Sequence, residues 1–246
     1  MLKFVYFILF IFFFELLQKK IPYQQYKNNY LINIVLVSIN FVIVKLFTPF
    51  LYYTQTHNTG LLQYLPSWSQ LILTILIFDL TIYWQHRAFH YFDFLWRFHS
   101  IHHGDRNLST LSGVRFHPIE ISLSLVYKYL LLIILSPSIE YYLLYEIILT
   151  SMALFNHSNI NLNFDKTLSK IIVTPKFHFI HHDQRSFMTN SNYGNFLSIW
   201  DRLFSTFENG AIKNLGTPQV SEKQSTSIKY NLISPFIKSE TKHESA

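Results

Sequence analysis

Cysteine is absent from all 246 residues. That excludes disulfides, iron–sulfur clusters, thiolate zinc sites and cysteine nucleophiles, and it leaves the compartment open. Charge is scarce: 14% of residues are Asp, Glu, Lys or Arg, against about 25% in an ordinary soluble domain. Half the residues are hydrophobic, with 24 Phe and 16 Tyr, a composition poorly suited to water. The net charge of +6 is scattered between apolar stretches. A nucleic-acid surface needs clustered Lys and Arg on a soluble fold, so an anionic bilayer surface is the expected partner and nucleic acid is not. No repeat is found at solenoid periods.

A bilayer span needs about 20 apolar residues. Leu2 to Leu17 is such a run, short and broken only by Lys3 and Glu15. Gln18 to Pro22 offers no small-residue cleavage site, so the run reads as a retained membrane helix and not a signal peptide. Tyr30 to Phe50 is a second run, with Lys45 placed to snorkel, and Trp68 to Trp84 is a third with interfacial tryptophans at both ends. Ile119 to Leu135 and Ile139 to Phe155 are separated by Ser136, Pro137 and Ser138. They form either two spans or a re-entrant hairpin, and both options return the chain to the side it left. Lys19, Lys20 and Lys27 precede the second run, Leu51 to Pro66 holds no Lys or Arg, and Arg87, Arg97, Arg106 and Arg115 follow the third. This asymmetry puts the region after the third run on the cytoplasmic side. The expected fold is all-α: a multi-pass integral-membrane helical bundle with a cytoplasmic, histidine-rich helical cap. Residues 1–66 are its N-terminal membrane helices, 67–208 its histidine-bearing domain, and 209–246 a polar, loosely ordered tail.

Eight of the twelve histidines fall in three clusters: His86 and His90; His99, His102 and His103; His178, His181 and His182. Spacings of three and four place residues on one helical face, so each cluster is expected to act as a two- or three-nitrogen surface for metal. Imidazole suits iron, zinc and copper, and spacing alone does not choose among them. Carboxylates are nearly missing from the clusters. That argues against the Glu-x-x-His pattern of soluble di-iron bundles and against a His-Glu-x-x-His protease. His117 and His157 are single histidines at the two ends of the hairpin; His157 is expected as a ligand and His117 as a ligand or its support. Ligand histidines usually donate their other ring nitrogen to a carboxylate or carbonyl. Asp79, Asp105, Asp183 and Asp201 are candidates, with Asp79 and Asp201 expected as catalytic-site residues; Asp79 shares a helical stripe with Tyr83, His86 and His90. A metal transporter would instead string polar residues through several spans, and here the histidines gather at one end.

The order His-x-x-x-His, His-x-x-His-His, His-x-x-His-His resembles that of the fatty acid hydroxylase/sterol desaturase family. The flanks match too: Asp79 to Arg87 before the first box, Leu95 and Trp96 before His99, Arg115 to Pro118 with Glu120, Thr174 and Pro175 before His178, and Ser191 to Asn195 running into Trp200 to Phe204. The similarity covers roughly Asp79 to Phe207, and Ser205 stands where a glycine is common. The resemblance implies a membrane enzyme whose di-iron centre activates O2 and hydroxylates or desaturates a lipid C–H bond, an ether lipid or carotenoid being further options. It implies His86, His90, His99, His102, His103, His178, His181 and His182 as ligands, with His157 added. Zinc is a possible substitute for the two iron ions. Nothing in the chain looks like a redox domain, so an external donor of cytochrome b5 or ferredoxin type is expected.

Overall fold

The computed structural model describes residues 2–25, 30–57 and 59–237, with the side chains of residues 2–4 and 55–57 left out; Lys27 and the chain beyond Ile237 lie outside it. The described residues are helical, with no strand longer than an isolated bridge. Five long helices build the body: α1 (Leu2–Lys20), α2 (Tyr30–His57), α3 (Ser67–Tyr91), α5 (Pro118–Leu135) and α6 (Ile139–His157). The shorter α4 (Asp93–His103), α7 (Asp165–Leu168), α8 (Pro175–His181), α9 (Ser186–Thr189), α10 (Ile199–Leu203), α11 (Glu222–Thr226) and α12 (Ile228–Ile233) form the cap, with a 3-10 turn at Thr110–Val114.

The apolar runs are these long helices. Tyr30–Thr54, α3 and α5 are each long and apolar enough to cross a membrane. Their outward side chains are apolar: Leu31 and Leu46 on α2 are 71% exposed, and Leu130 and Ile134 on α5 are exposed as well. A helix greasy on its outer face is in contact with lipid, not water. At 18 residues, α5 is about 27 Å long, enough for nearly the whole hydrocarbon core.

The far end of the bundle is closed by the α5–α6 turn. Ser136 caps α5 with a left-handed φ of 40°, and Pro137 bars the helix from continuing. Leu61 and Leu62 donate backbone hydrogen bonds to the carbonyls of Ile134 and Leu135. Gly60 makes this approach possible, because a Cβ there would lie 2.6 Å from the Leu135 carbonyl carbon. Between the helices, Lys128 donates to Glu146 at 2.6 Å, and the Tyr142 hydroxyl donates to the same oxygen at 3.0 Å.

The segment after residue 208 is not a loose tail as far as Ile237. It folds back across the cap, where several of its polar groups meet buried partners. The fully buried Arg115 guanidinium donates to the Ser225 carbonyl at 2.7 Å and to Asn231 Oδ1 at 2.8 Å, and it pairs with Asp105 at 3.5 Å. Arg106 donates to the Val220 carbonyl. A polar sequence reads as solvated, yet here its carbonyls and an asparagine are the partners of a buried cation, Arg115, and a half-buried one, Arg106.

Candidate metal centre

Each histidine helix is placed by a local signal. On α8, the Thr174 side chain accepts from the Phe177 N–H and Pro175 occupies the first turn, a favourable start for a seven-residue helix. On α5, His117 and Pro118 do the same. The α5–α6 hairpin begins beside α4 and ends at His157, so both its ends stand at the histidine end.

Nine histidines converge in two groups. His86, His90, His99, His103 and His181 form one; His102, His157, His178 and His182 form the other. Within each group, one ligand-competent nitrogen per residue lies within 4.8 Å of all the rest. The clusters do not each present a single tridentate face. His99 and His103, four apart, enter the first group, while His102 enters the second. His178 and His182, four apart, enter the second, while His181 enters the first. Neighbouring helix positions are rotated by about 100°, which sends adjacent histidines to different groups. The groups abut: the His103 and His182 rings stack at 4.2 Å.

The hydrogen-bond chemistry fixes which nitrogens face inward. His86 Nδ1 donates to the Tyr193 carbonyl at 2.8 Å, His181 Nδ1 to that of Ser191 at 2.6 Å, His157 Nδ1 to that of Ala153 at 2.8 Å and His102 Nδ1 to that of Arg115 at 3.3 Å. His99 Nδ1 donates to Glu120 Oε1 at 2.6 Å. A carbonyl only accepts, so the hydrogen is on Nδ1 and Nε2 presents a bare lone pair in the neutral ring. These Nε2 atoms nonetheless meet: His86 with His99 at 3.1 Å and with His181 at 3.0 Å, and His157 with His102 at 3.0 Å. His178 and His182 add Nε2 contacts to His157 at 3.1 Å each. Both ring nitrogens of fully buried His103 lack a hydrogen-bond partner.

Lone pairs facing each other at this distance in a dry site repel, and a shared cation removes the repulsion. Two nitrogens about 2.1 Å from a common ion and at right angles to one another stand about 3.0 Å apart, so the spacing fits a metal. Burial holds the imidazoles neutral, as ligation requires. It pushes His102, His103, His178, His181 and His182 well below the usual 6.5, neighbouring histidines adding to the effect, and His99 down to about 3.

Three expected site residues lie apart from both groups. His117 is not with the converging histidines: its Nδ1 accepts from the Ile119 N–H at 3.1 Å and its Nε2 faces the Leu232 carbonyl at 3.3 Å, so it caps α5. Asp79 accepts from the N–H groups of Phe196 and Leu197 and from Trp200 Nε1. Asp201 accepts from the N–H groups of Tyr193 and Gly194 and from the Thr206 hydroxyl. Burial raises its carboxyl to about 6 against the pull of those bonds. Both aspartates thus pin the 193–197 loop, whose Tyr193 carbonyl orients His86. Asp105 and Asp183 likewise bond to Ser112, Arg115 and Arg185. Ser205, the departure from glycine, has φ of 55°, the left-handed conformation that explains a glycine preference there.

Sequence reasoning missed Glu120 as the partner of His99. The available signal was an ionisable residue in the first turn of an apolar helix, three residues after His117. The carbonyls of Tyr193, Ser191, Ala153 and Arg115 left no signal, since every residue carries one.

The fatty acid hydroxylase profile matches residues 71–206. The chain is 31% identical over 144 residues to the ornithine lipid hydroxylase of Rhizobium tropici, covering 58% of this chain and 43% of that protein. It is 27% identical over 135 residues to the alkylglycerol monooxygenase of Homo sapiens, covering 53% and 28%, and 30% identical over 140 residues to that of Xenopus tropicalis, covering 55% and 30%. The matched region thus spans less than half the length of these relatives. No solved structure matches the chain.

Proposed function

The chain belongs to the fatty acid hydroxylase family, a family of metal-dependent oxygenases, and on that premise we propose that it uses two iron ions and O2 to hydroxylate a C–H bond of a lipid. The observation that carries this reading is the pair of abutting histidine groups, whose Nε2 lone pairs face one another while Nδ1 is committed to carbonyls and Glu120. His86, His90, His99, His103 and His181 hold one ion; His102, His157, His178 and His182 hold the other. When bound, the irons supply the oxygen-activating chemistry, and zinc takes their place in protein made without enough iron.

The remaining work belongs to the chain. Tyr193, Ser191, Ala153 and Arg115 orient the imidazoles through their carbonyls, and Asp79 and Asp201 hold the loop that carries the first of these. The histidines in both groups are buried or nearly so, which keeps water from the reacting centre. The apolar bundle below brings a lipid chain to the cap from within the bilayer. Basic residues after α3 set the cap on the cytoplasmic side, where an external carrier of cytochrome b5 or ferredoxin type supplies electrons.

The relatives named above are a hydroxylase and monooxygenases, which favours oxygen insertion over desaturation. The alkylglycerol monooxygenases favour an ether lipid as a second substrate reading. The test is to incubate membranes containing the protein with 18O2 and follow lipids by mass spectrometry. A lipid product heavier by one labelled oxygen, lost when His102 and His181 are replaced by alanine, is expected. Products that only lose two hydrogens would replace hydroxylation with desaturation, and no O2-dependent product would sink the oxygenase reading.

A further inference from the structure

Away from the histidine centre, a groove runs between the end of α1 and the chain that leaves α6. The backbone of Ile21 to Tyr23 pairs there with Asn159 and Asn161. Two adjoining hollows of about 290 and 360 Å³ share the walls Asn161, Leu162, Asn163 and Phe164. The larger is lined by Lys166 and Lys176 together with Asn161, Asn163 and Thr167; Asp165 is the acid among its lining residues. The smaller opens at Ile21 and Pro22, directly after Lys19 and Lys20.

The position of the groove says what fills it. Leu9, Phe12, Phe13 and Leu16 form an exposed apolar strip on α1. The strip gives way to exposed Lys19 and Lys20, and the groove begins one residue later. Phe164, on the groove wall, and Ile171, just beyond α7, are 60% and 65% exposed. Read from the helix outward, the order is apolar strip, basic rim, polar and basic hollow, which is the polarity profile of an amphiphile with an anionic head. The Asn, Thr and Lys residues lining the larger hollow suit a polar headgroup over an acyl chain, and lysines at the headgroup level attract anionic lipid.

We propose that this groove binds the phosphate headgroup of an anionic phospholipid of the surrounding leaflet, with Lys166 and Lys176 as its phosphate contacts and the outer face of α1 as its acyl contact. Ile160, on the groove floor, lies three residues beyond His157. The bound lipid therefore rests against the loop that leaves the histidine centre, and the site does not depend on what that centre oxidises.

The test uses the full chain in detergent and native mass spectrometry, with phosphatidylglycerol and phosphatidylcholine of equal chain length offered separately. Phosphatidylglycerol should be retained and phosphatidylcholine lost as collision energy rises. In Lys166→Gln/Lys176→Gln, phosphatidylglycerol retention should fall about tenfold, while Lys166→Arg/Lys176→Arg and the distant Lys223→Gln/Lys229→Gln should keep it. An unchanged thermal midpoint and metal content in the glutamine variant would show that its fold and histidine centre are intact. Equal retention of the two lipids, or of phosphatidylglycerol by wild type and glutamine variant, would overturn the proposal. Displacement by millimolar inorganic phosphate would overturn the lipid as the source of the anion.

Discussion

His99 on α4 donates its Nδ1–H to Glu120 on α5 at 2.6 Å, across 21 residues of chain. The contact ties a helix of the cap to a helix of the membrane bundle, and it fixes the ring that faces His86 and, at 4.9 Å, His90. Glu120→Ala removes the acceptor and leaves the ring free to turn. Metal affinity or turnover should fall about 10–100-fold, with Glu120→Gln in between because it keeps an acceptor oxygen in a different side-chain geometry. Elemental analysis after dialysis against a chelator, with lipid oxidation measured on the same samples, checks it. Wild-type retention in the alanine variant would mean that Glu120 does not orient a ligand.

His117 and His157 separate in a direct comparison. His117→Asn replaces one capping acceptor with another, so metal content and turnover should stay near wild type. His157 touches three other imidazoles through Nε2, and His157→Asn should empty the second group and abolish turnover. Loss of metal in the His117 variant would return that residue to the ligand set.

Gly113 sits where the 3-10 turn meets α6. A Cβ at that position would collide with the Ala153 carbonyl oxygen, the acceptor of His157 Nδ1, and stand 3.1 Å from His157 Nδ1 itself. Backbone cannot yield as a flexible side chain can, so Gly113→Ala should shift α6 and weaken metal binding in a chain that still folds. Metal stoichiometry read beside the thermal midpoint separates that outcome from general unfolding, and full occupancy would contradict it.

The Lys128–Glu146 pair predicts a non-additive result. Lys128→Met strands a carboxylate among α5 and α6 and should cost about 3–5 kcal/mol. Lys128→Met with Glu146→Leu removes both charges and should recover most of that loss, since a well-packed apolar pair is often as stable as a buried ion pair. Unfolding in mixed detergent for the two single variants and the double variant supplies the cycle. Simple addition of the single effects would show that the two residues act independently.

Much of the architecture was legible in the sequence because a bilayer imposes length and polarity on its helices. The apolar runs starting at Leu2, Tyr30, Trp68, Ile119 and Ile139 each lie inside a helix of the structure, with ends off by a few residues. Nine of the ten expected histidines converge, and the pairs His86 and His90, His99 and His103, and His178 and His182 stay together because i, i+4 spacing survives folding. The partition of the boxes was not legible: His102 and His103 are adjacent in sequence, and which group each serves depends on how α4 is rotated against α6 and α8. Nor was the order of residues 209–237, whose polar side chains and backbone meet groups, such as the Arg115 guanidinium, that only tertiary packing buries.

The two histidine groups are stitched together. α4 hands His99 and His103 to one and His102 to the other, while α8 hands His181 to the first and His178 and His182 to the second. Neither group is a separable module. An ion held by one group would fix the rotation of both helices and so prepare the nitrogens of its neighbour. Occupancy should therefore be cooperative, with half-filled protein scarce and the titration curve steeper than for independent sites. If both groups fill, the shared helices would make the two centres gained and lost as a unit, so a change at either one would be felt at the other.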